Sequence, residues 1–297
     1  IMCPNGNAVF QEERPVSYIM NAYAELYGMD VGQYLTGQET IKIYKCENTG
    51  LRFYYPRYIG GDAKFYEDLQ NHKWYYQDEK WEYSKSLPIV QKCKRLLEIG
   101  CGSGAFLKKA AGLDIDVTGL EINENAVFYA RNLGLKVLNE SVKNHTKNHE
   151  EYYDVVCSFQ VMEHVEHIHE IIECSVKMLK KNGLFIICVP DNESLLNKSK
   201  ENVLNMPPHH LNLWQASSLV SLQIIFPVKL IKIFHEPLQS QHFNIYYYLL
   251  MREWINAYGK LGKIVNSLTT RIYNPILRMG ATKIKGHSIM AIYKKTS

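Results

Sequence analysis

Leu96-Leu97-Glu98-Ile99-Gly100-Cys101-Gly102-Ser103-Gly104-Ala105 runs as an apolar strand through one acid into three glycines at alternate positions, and a helical pattern follows from Phe106. Without a Cβ, glycine lets the backbone turn tightly off a strand and approach a ligand closely. The stretch therefore predicts a nucleotide-cofactor loop, and two kinds of ligand compete for it. Gly100-x-Gly102-x-x-Ala105 satisfies a dinucleotide fingerprint, and Glu121 ends the next strand where a ribose-binding acid belongs. Glu98 argues the other way. A carboxylate two residues before the first glycine would crowd a pyrophosphate, but it suits a ligand that carries an ammonium group and no phosphate.

From Glu98 to Gly104 the chain resembles the class I S-adenosylmethionine-dependent methyltransferases, whose first motif reads acidic-x-Gly-x-Gly-x-Gly; the resemblance runs from about residue 93 to about residue 226. It implies S-adenosyl-L-methionine as cofactor and S-adenosyl-L-homocysteine as product. By the same resemblance Gly100, Gly102 and Gly104 cradle the methionine moiety, and Glu121, followed by Ile122, takes the ribose hydroxyls. Asn139, Glu140 and Ser141 then face adenine, and Ser158, Phe159 and Gln160 close the site. A nicotinamide oxidoreductase or epimerase is the rival enzyme class, and a scaffold that keeps the fold without turnover is the rival outside enzymes.

The sequence around the motif is that of a globular chain of 297 residues, long enough for one large domain or a catalytic domain with an appendage. A net charge of +4 is too small to argue for nucleic acid. Seven cysteines are scattered, five of them inside apparent core elements; they read as reduced thiols and, with no leading apolar segment, lead us to expect a cytoplasmic protein.

Elements alternate from Lys94 as in a doubly wound, seven-stranded Rossmann-like α/β sheet. Strands are expected at Leu96–Ile99, Ile115–Glu121, Lys136–Leu138, Asp154–Phe159, Leu184–Val189, Val228–Phe234 and Ser288–Tyr293. Helices are expected from Phe106 to Ala111, from Glu124 to Asn132, from about Ile168 to Lys181 with Gly183 as its cap, and over Ser217–Phe226. Residues 91–297 would form this domain. Roughly Glu236 to His287 is a helical insertion, and its 252–285 portion has seven basic residues against one acid. Three roles remain open for residues 243–285: packing on their own domain, a homodimer face, or a dock for an anionic surface or phosphate-bearing substrate.

Residues 1–90 form an appendage rich in tyrosine and tryptophan. Cys3-Pro4-Asn5-Gly6 and Cys46-Glu47-Asn48-Thr49-Gly50 look like two halves of a zinc ribbon, each lacking its second cysteine. Two thiolates do not close a tetrahedral shell, so a metal-free hairpin of Ile41–Cys46 and Leu51–Tyr55 is expected. Phe65–Trp81 reads as an aromatic helix, either a core face or a lid over the cofactor.

Methyl transfer from a sulfonium needs alignment and, for a hydroxyl acceptor, a base. His209 and His210, after the paired prolines Pro207 and Pro208, are the preferred bases, and His164 in Gln160-Val161-Met162-Glu163-His164 is the reserve. Ubiquinone-pathway O-methyltransferases have a similar stretch with Glu at the position of Gln160, where two acids and a histidine can hold a divalent metal. Gln160 removes one acid, so no metal is expected. The acceptor expected is a small polar molecule, most plausibly a hydroxyl of a sugar, nucleotide-sugar or glycan.

Overall fold

The computed structural model describes residues 2–3, 6–70, 72, 78–194, 201–269 and 272–297. Its strands are β1 (Ala8–Pro15), β2 (Thr40–Cys46), β3 (Arg52–Tyr55), β4 (Arg95–Ile99), β5 (Asp116–Leu120), β6 (Val137–Leu138), β7 (Tyr153–Phe159), β8 (Leu179–Pro190), β9 (Asn212–Leu213), β10 (Val228–Pro237) and β11 (Lys285–Lys295). Seven of them form the central sheet in the order β10-β11-β8-β7-β4-β5-β6. Pairings from β8 to β6 are parallel, whereas β11 runs antiparallel to both its neighbours.

Both faces of this sheet are covered, and the side-chain period of two divides each strand between them. Leu97 of β4, Phe185, Ile187 and Val189 of β8, and Ile289, Ala291 and Tyr293 of β11 enter one core. Leu96, then Ile186 and Cys188, then Met290 and Ile292 enter the other. This explains why the strands read as unbroken apolar runs. Chain order reverses at β4, which lies between β7 and β5, so the crevice at the carboxyl ends of those strands is where a ligand belongs.

The second sheet has the order β1-β2-β3-β9. The β2–β3 hairpin lies where the sequence places it, with Gly50 at φ 70° in its turn. Neither β1 nor the helix Val16–Tyr27 was expected, and β9 comes from far along the chain, directly after His209 and His210. Tyr23 and Tyr54 donate hydroxyl hydrogen bonds to the carbonyls of Met206 and Asn205, so the N-terminal layer grips the histidine loop from behind.

Two helices differ from expectation. The long helix after β7 is Ile168–Met178, not a helix to Lys181. Asn182, at φ 66°, takes the left-handed conformation there, and both it and Gly183 already lie within β8. The aromatic stretch is two helices, Ala63–Gln70 and Trp81–Val90; Trp74, Tyr75 and Tyr76 lie outside the described residues. Within the insertion, helices span Phe243–Tyr258, Lys260–Thr269 and Tyr273–Gly280.

Candidate active site

The glycine loop follows β4 with Gly100, Gly102 and Gly104 at φ 69°, 52° and 84°, all in the left-handed region that favours glycine. A Cβ on Gly100 would lie 2.4 Å from Val161, so the bare backbone is also a packing requirement. Glu121 organises the loop from the end of β5. Its Oε2 accepts from the Gly102 amide at 2.9 Å, and its Oε1 accepts from the Ile122 and Asn123 amides at 2.8 Å each. A carboxylate offers about four acceptor directions. Ribose hydroxyls would share Glu121 with these amides or displace them.

A cavity of about 1420 Å³ opens above this loop, and Gly100, Gly102, Glu121, Ile122, Glu140, Ser141, Gln160, His164, His209 and His210 all line it. Ile122 is 73 % exposed there, an apolar side chain held out by the bonds beneath it. Ser141 caps the helix Val142–Thr146 by accepting from the Asn144 amide, and Glu140 bonds the His145 ring at 2.6 Å. Gln160 has φ 56°, rare for a residue with a side chain, and this turns its amide toward Glu82 at 3.3 Å and Ser288 at 3.1 Å.

Four residues expected at the cofactor lie outside the wall; one of them, Asn139, instead donates its side-chain amide to the carbonyls of Glu121 and Ile122. Glu98 is 2 % exposed within β4, its Oε2 has no partner among the described residues, and burial raises its carboxyl well above the usual range. It is therefore not an exposed anion for an ammonium group. Ser158 is completely buried within β7, its hydroxyl without a partner among the described residues. Gly104 begins the helix Ala105–Ala111, and a Cβ there would lie 2.4 Å from Leu135.

The sequence reading missed part of the wall. Lys80, Glu82, Glu236, His242, Ile245, His287 and Ser288 also line the cavity. Glu82 is 4 % exposed inside Trp81-Glu82-Tyr83, and a lone acid among aromatics was the available signal. Glu236 accepts from the amides of His287 and Ser288, and burial raises it to about 7. With Glu163, these acids put carboxyl groups on the inner wall, and burial raises Glu163 to about 8 as it raises Glu236 to about 7. Carboxyl groups there suit the cationic end of S-adenosylmethionine better than a pyrophosphate, and Lys80 lines the same cavity. The residues present fit the cofactor: a floor free of Cβ atoms, an acid at the ribose position and acids facing the cationic end.

Opposite the loop stand three imidazoles. His164, His209 and His210 have ring centroids 4.6 to 4.9 Å apart. Each Nδ1 meets an oxygen: His164 the carbonyl of His209 at 2.6 Å, His209 the carbonyl of Leu204 at 2.8 Å, His210 the amide oxygen of Asn205 at 2.9 Å. A carbonyl only accepts, so the first two Nδ1 atoms carry the proton, and Asn205, whose amide donates to Asn192, presents its oxygen to the third. The lone pair in each neutral ring is then on Nε2. Burial lowers all three pKa values, His164 to about 4. The loops carrying these rings are tied together. Asn212 donates to the carbonyls of Met162 and Val165, and Arg57 reaches Leu211, Val165 and Glu166.

Residues 67–222 match the family model described as a methyltransferase domain. Over 125 residues, 39 % of this chain and 51 % of the relative, the sequence is 30 % identical to the ubiquinone biosynthesis O-methyltransferase of Proteus mirabilis. That of Glaesserella parasuis is 31 % identical over 129 residues, 39 % and 55 % of the two chains. The chain thus spans about half the length of the curated relatives it matches. Among solved structures, a SAM-dependent methyltransferase from Archaeoglobus fulgidus superposes with a TM-score of 0.54 at 19 % identity, covering 77 % of this chain and all of that one. The family match removes the nicotinamide alternative left open by the glycine pattern. The chain belongs to the methyltransferase-domain family and has the class I, S-adenosylmethionine-dependent fold.

Proposed function

We propose that the protein methylates a hydroxyl of a small polar acceptor, in the class of sugars, nucleotide-sugars or glycans. The observation that carries this reading is the single cavity that joins the glycine loop to the three-histidine face. When bound, S-adenosylmethionine supplies an electrophilic methyl on sulfur. The chain's own residues do the rest. Glu121 holds the ribose, the Gly100–Gly102 backbone cradles the methionine moiety, the acids Glu82 and Glu236 face the cationic end, and a histidine Nε2 accepts the hydroxyl proton as the oxygen bonds carbon and the carbon–sulfur pair stays on sulfur. An imidazole held neutral by burial is ready to accept that proton without first losing one. Gln160, Asn202, Glu166 and Gln239 around the same space offer hydrogen-bond partners suited to a polyhydroxylated acceptor.

Tyr27 and Tyr66 on the wall favour a second reading, an aromatic acceptor with a phenolic hydroxyl, and the curated relatives are named for ubiquinone biosynthesis. Methyl-labelled cofactor offered with nucleotide-sugars in one panel and catechols in another separates the two. Label on a sugar oxygen is the expected result, label only on catechols supports the second reading, and label on nitrogen or carbon refutes both.

A further inference from the structure

The sequence argues against a metal from the two-cysteine knuckles and from Gln160, but folding assembles a different donor set. His164 comes from the turn after β7, and His209 and His210 from the loop before β9, more than forty residues later. One ring nitrogen from each lies within 4.8 Å of the others. Tetrahedral zinc at 2.0–2.1 Å from nitrogen needs ligand atoms about 3.4 Å apart, so the set closes once the His209 and His210 rings, stacked at 21°, turn toward a common point. Each ring is already oriented from behind, its Nδ1 against the oxygen of His209, Leu204 or Asn205, which is the arrangement that fixes metal-ligating imidazoles.

A second observation points the same way. Glu163 is 1 % exposed, its Oε1 lies 3.6 Å from His164 Nε2, and its Oε2 has no partner among the described residues. A buried carboxyl oxygen without a partner is costly, and a divalent cation beside three neutral imidazoles would satisfy it. Imidazole donors select zinc-class ions over magnesium and calcium, which prefer all-oxygen shells.

We propose that His164, His209 and His210, with Glu163 beside them, form a binding site for one zinc-class divalent cation whose open side faces the cavity. With the cation bound, the Nε2 lone pairs are engaged and no histidine takes the proton; the site would instead take the acceptor's hydroxyl oxygen as a further ligand and acidify it, as such ions acidify bound water, the proton passing to water in the open cavity. Only that last role rests on the methyl-transfer reading; cation binding stands apart from it.

The test uses the full chain, stripped with chelator and titrated with Zn²⁺, Co²⁺ and Mg²⁺, with S-adenosylhomocysteine binding measured in parallel. Expected are one Zn²⁺ per chain, visible ligand-field absorption with Co²⁺, and no comparable Mg²⁺ binding. His210→Asn and His164→Asn, checked as folded by circular dichroism, should each weaken Zn²⁺ binding by more than the roughly 10–100-fold typical of losing an outer-sphere partner, whereas Cys3→Ser leaves it unchanged. Absence of stoichiometric Zn²⁺, Zn²⁺ indifferent to the histidine substitutions, or Zn²⁺ lost only with Cys3 overturns the site. If S-adenosylhomocysteine binds and Zn²⁺ does not, the cation site alone falls; if Zn²⁺ binds and S-adenosylhomocysteine does not, the methyl-transfer reading falls instead.

Discussion

Glu121 holds the glycine loop through three backbone amides before any ligand arrives, so its loss removes both a ribose acceptor and the loop's anchor. Replacing it with alanine should cost roughly 2–4 kcal/mol of S-adenosylhomocysteine affinity on the scale of charge-assisted bonds. Calorimetric titration measures this, and unchanged affinity in a folded variant refutes the ribose role. Glu236 makes a different prediction. Burial first, and the charge of Glu82 second, raise its carboxyl to about 7, while an unfolded glutamate titrates near about 4.3. Between those values the native chain keeps a proton that the unfolded chain has lost. Its contribution to stability is therefore full below the lower value and fades as pH rises toward 7. Glu236→Gln, neutral at every pH, should leave stability at pH 4 almost unchanged and raise it at pH 8 by about 1–3 kcal/mol, read from urea unfolding of the ligand-free protein. Equal effects at both pH values would contradict the assignment.

At the level of elements, Asn212 connects the two histidine loops by donating to Met162 and Val165, and it is completely buried. Asn212→Ala removes the side-chain donor of the Met162 carbonyl and leaves Val165 with Arg57 alone, and should destabilise the fold by about 1–3 kcal/mol. It should also lower turnover while sparing cofactor affinity, since neither loop carries Glu121; loss of both together would mean that the loops are not separately held. These contacts mark the limit of what the sequence showed. The central sheet was legible because strands buried on both faces are unbroken apolar runs, and Gly100 to Gly104 located the loop between them. That Glu121, Glu140 and Ser141 stand at strand ends around one cavity was legible as well. Glu98 was misplaced because pattern alone does not tell a side chain at a strand's end from one still inside it. The pairing of β3 with β9, and the meeting of His164 with His209 and His210, depend on contacts more than forty residues apart and leave no local signature. Glu236 was missed because it faces the cavity from an element outside the recognised motif, and Glu82 because its one local signal, an acid between Trp81 and Tyr83, does not say which cavity it faces.

Across the whole molecule, the insertion is only half absorbed. Phe243 and Leu249 pack with Leu238, Leu277 and Ile284, and His242 and Ile245 reach the cavity wall. Leu261, Ile264, Leu268, Ile276 and Met279 stay exposed on the last two helices, beside Lys260, Lys263 and Arg278; Arg271 lies outside the described residues. Self-association would bring like charges together, whereas an anionic lipid surface would match both the charge and the apolar side chains. No helix among the described residues is long and apolar enough to cross a membrane. The expected outcome is salt-sensitive co-sedimentation with anionic but not neutral vesicles, weakened by Leu268→Asp. A stable dimer by light scattering that ignores vesicles would assign the face to a second copy instead.

The central claim is that cofactor and acceptor oxygen meet at the histidine face. Its most direct test is single-turnover transfer from methyl-labelled S-adenosylmethionine to an identified hydroxyl acceptor, comparing the wild-type chain with His164→Ala, His209→Ala and His210→Ala, each with its S-adenosylhomocysteine affinity measured alongside. The account predicts label on oxygen, and a rate about 10²–10⁴-fold lower in at least one variant whose cofactor affinity is nearly intact. Near-wild-type rates in all three variants would contradict it.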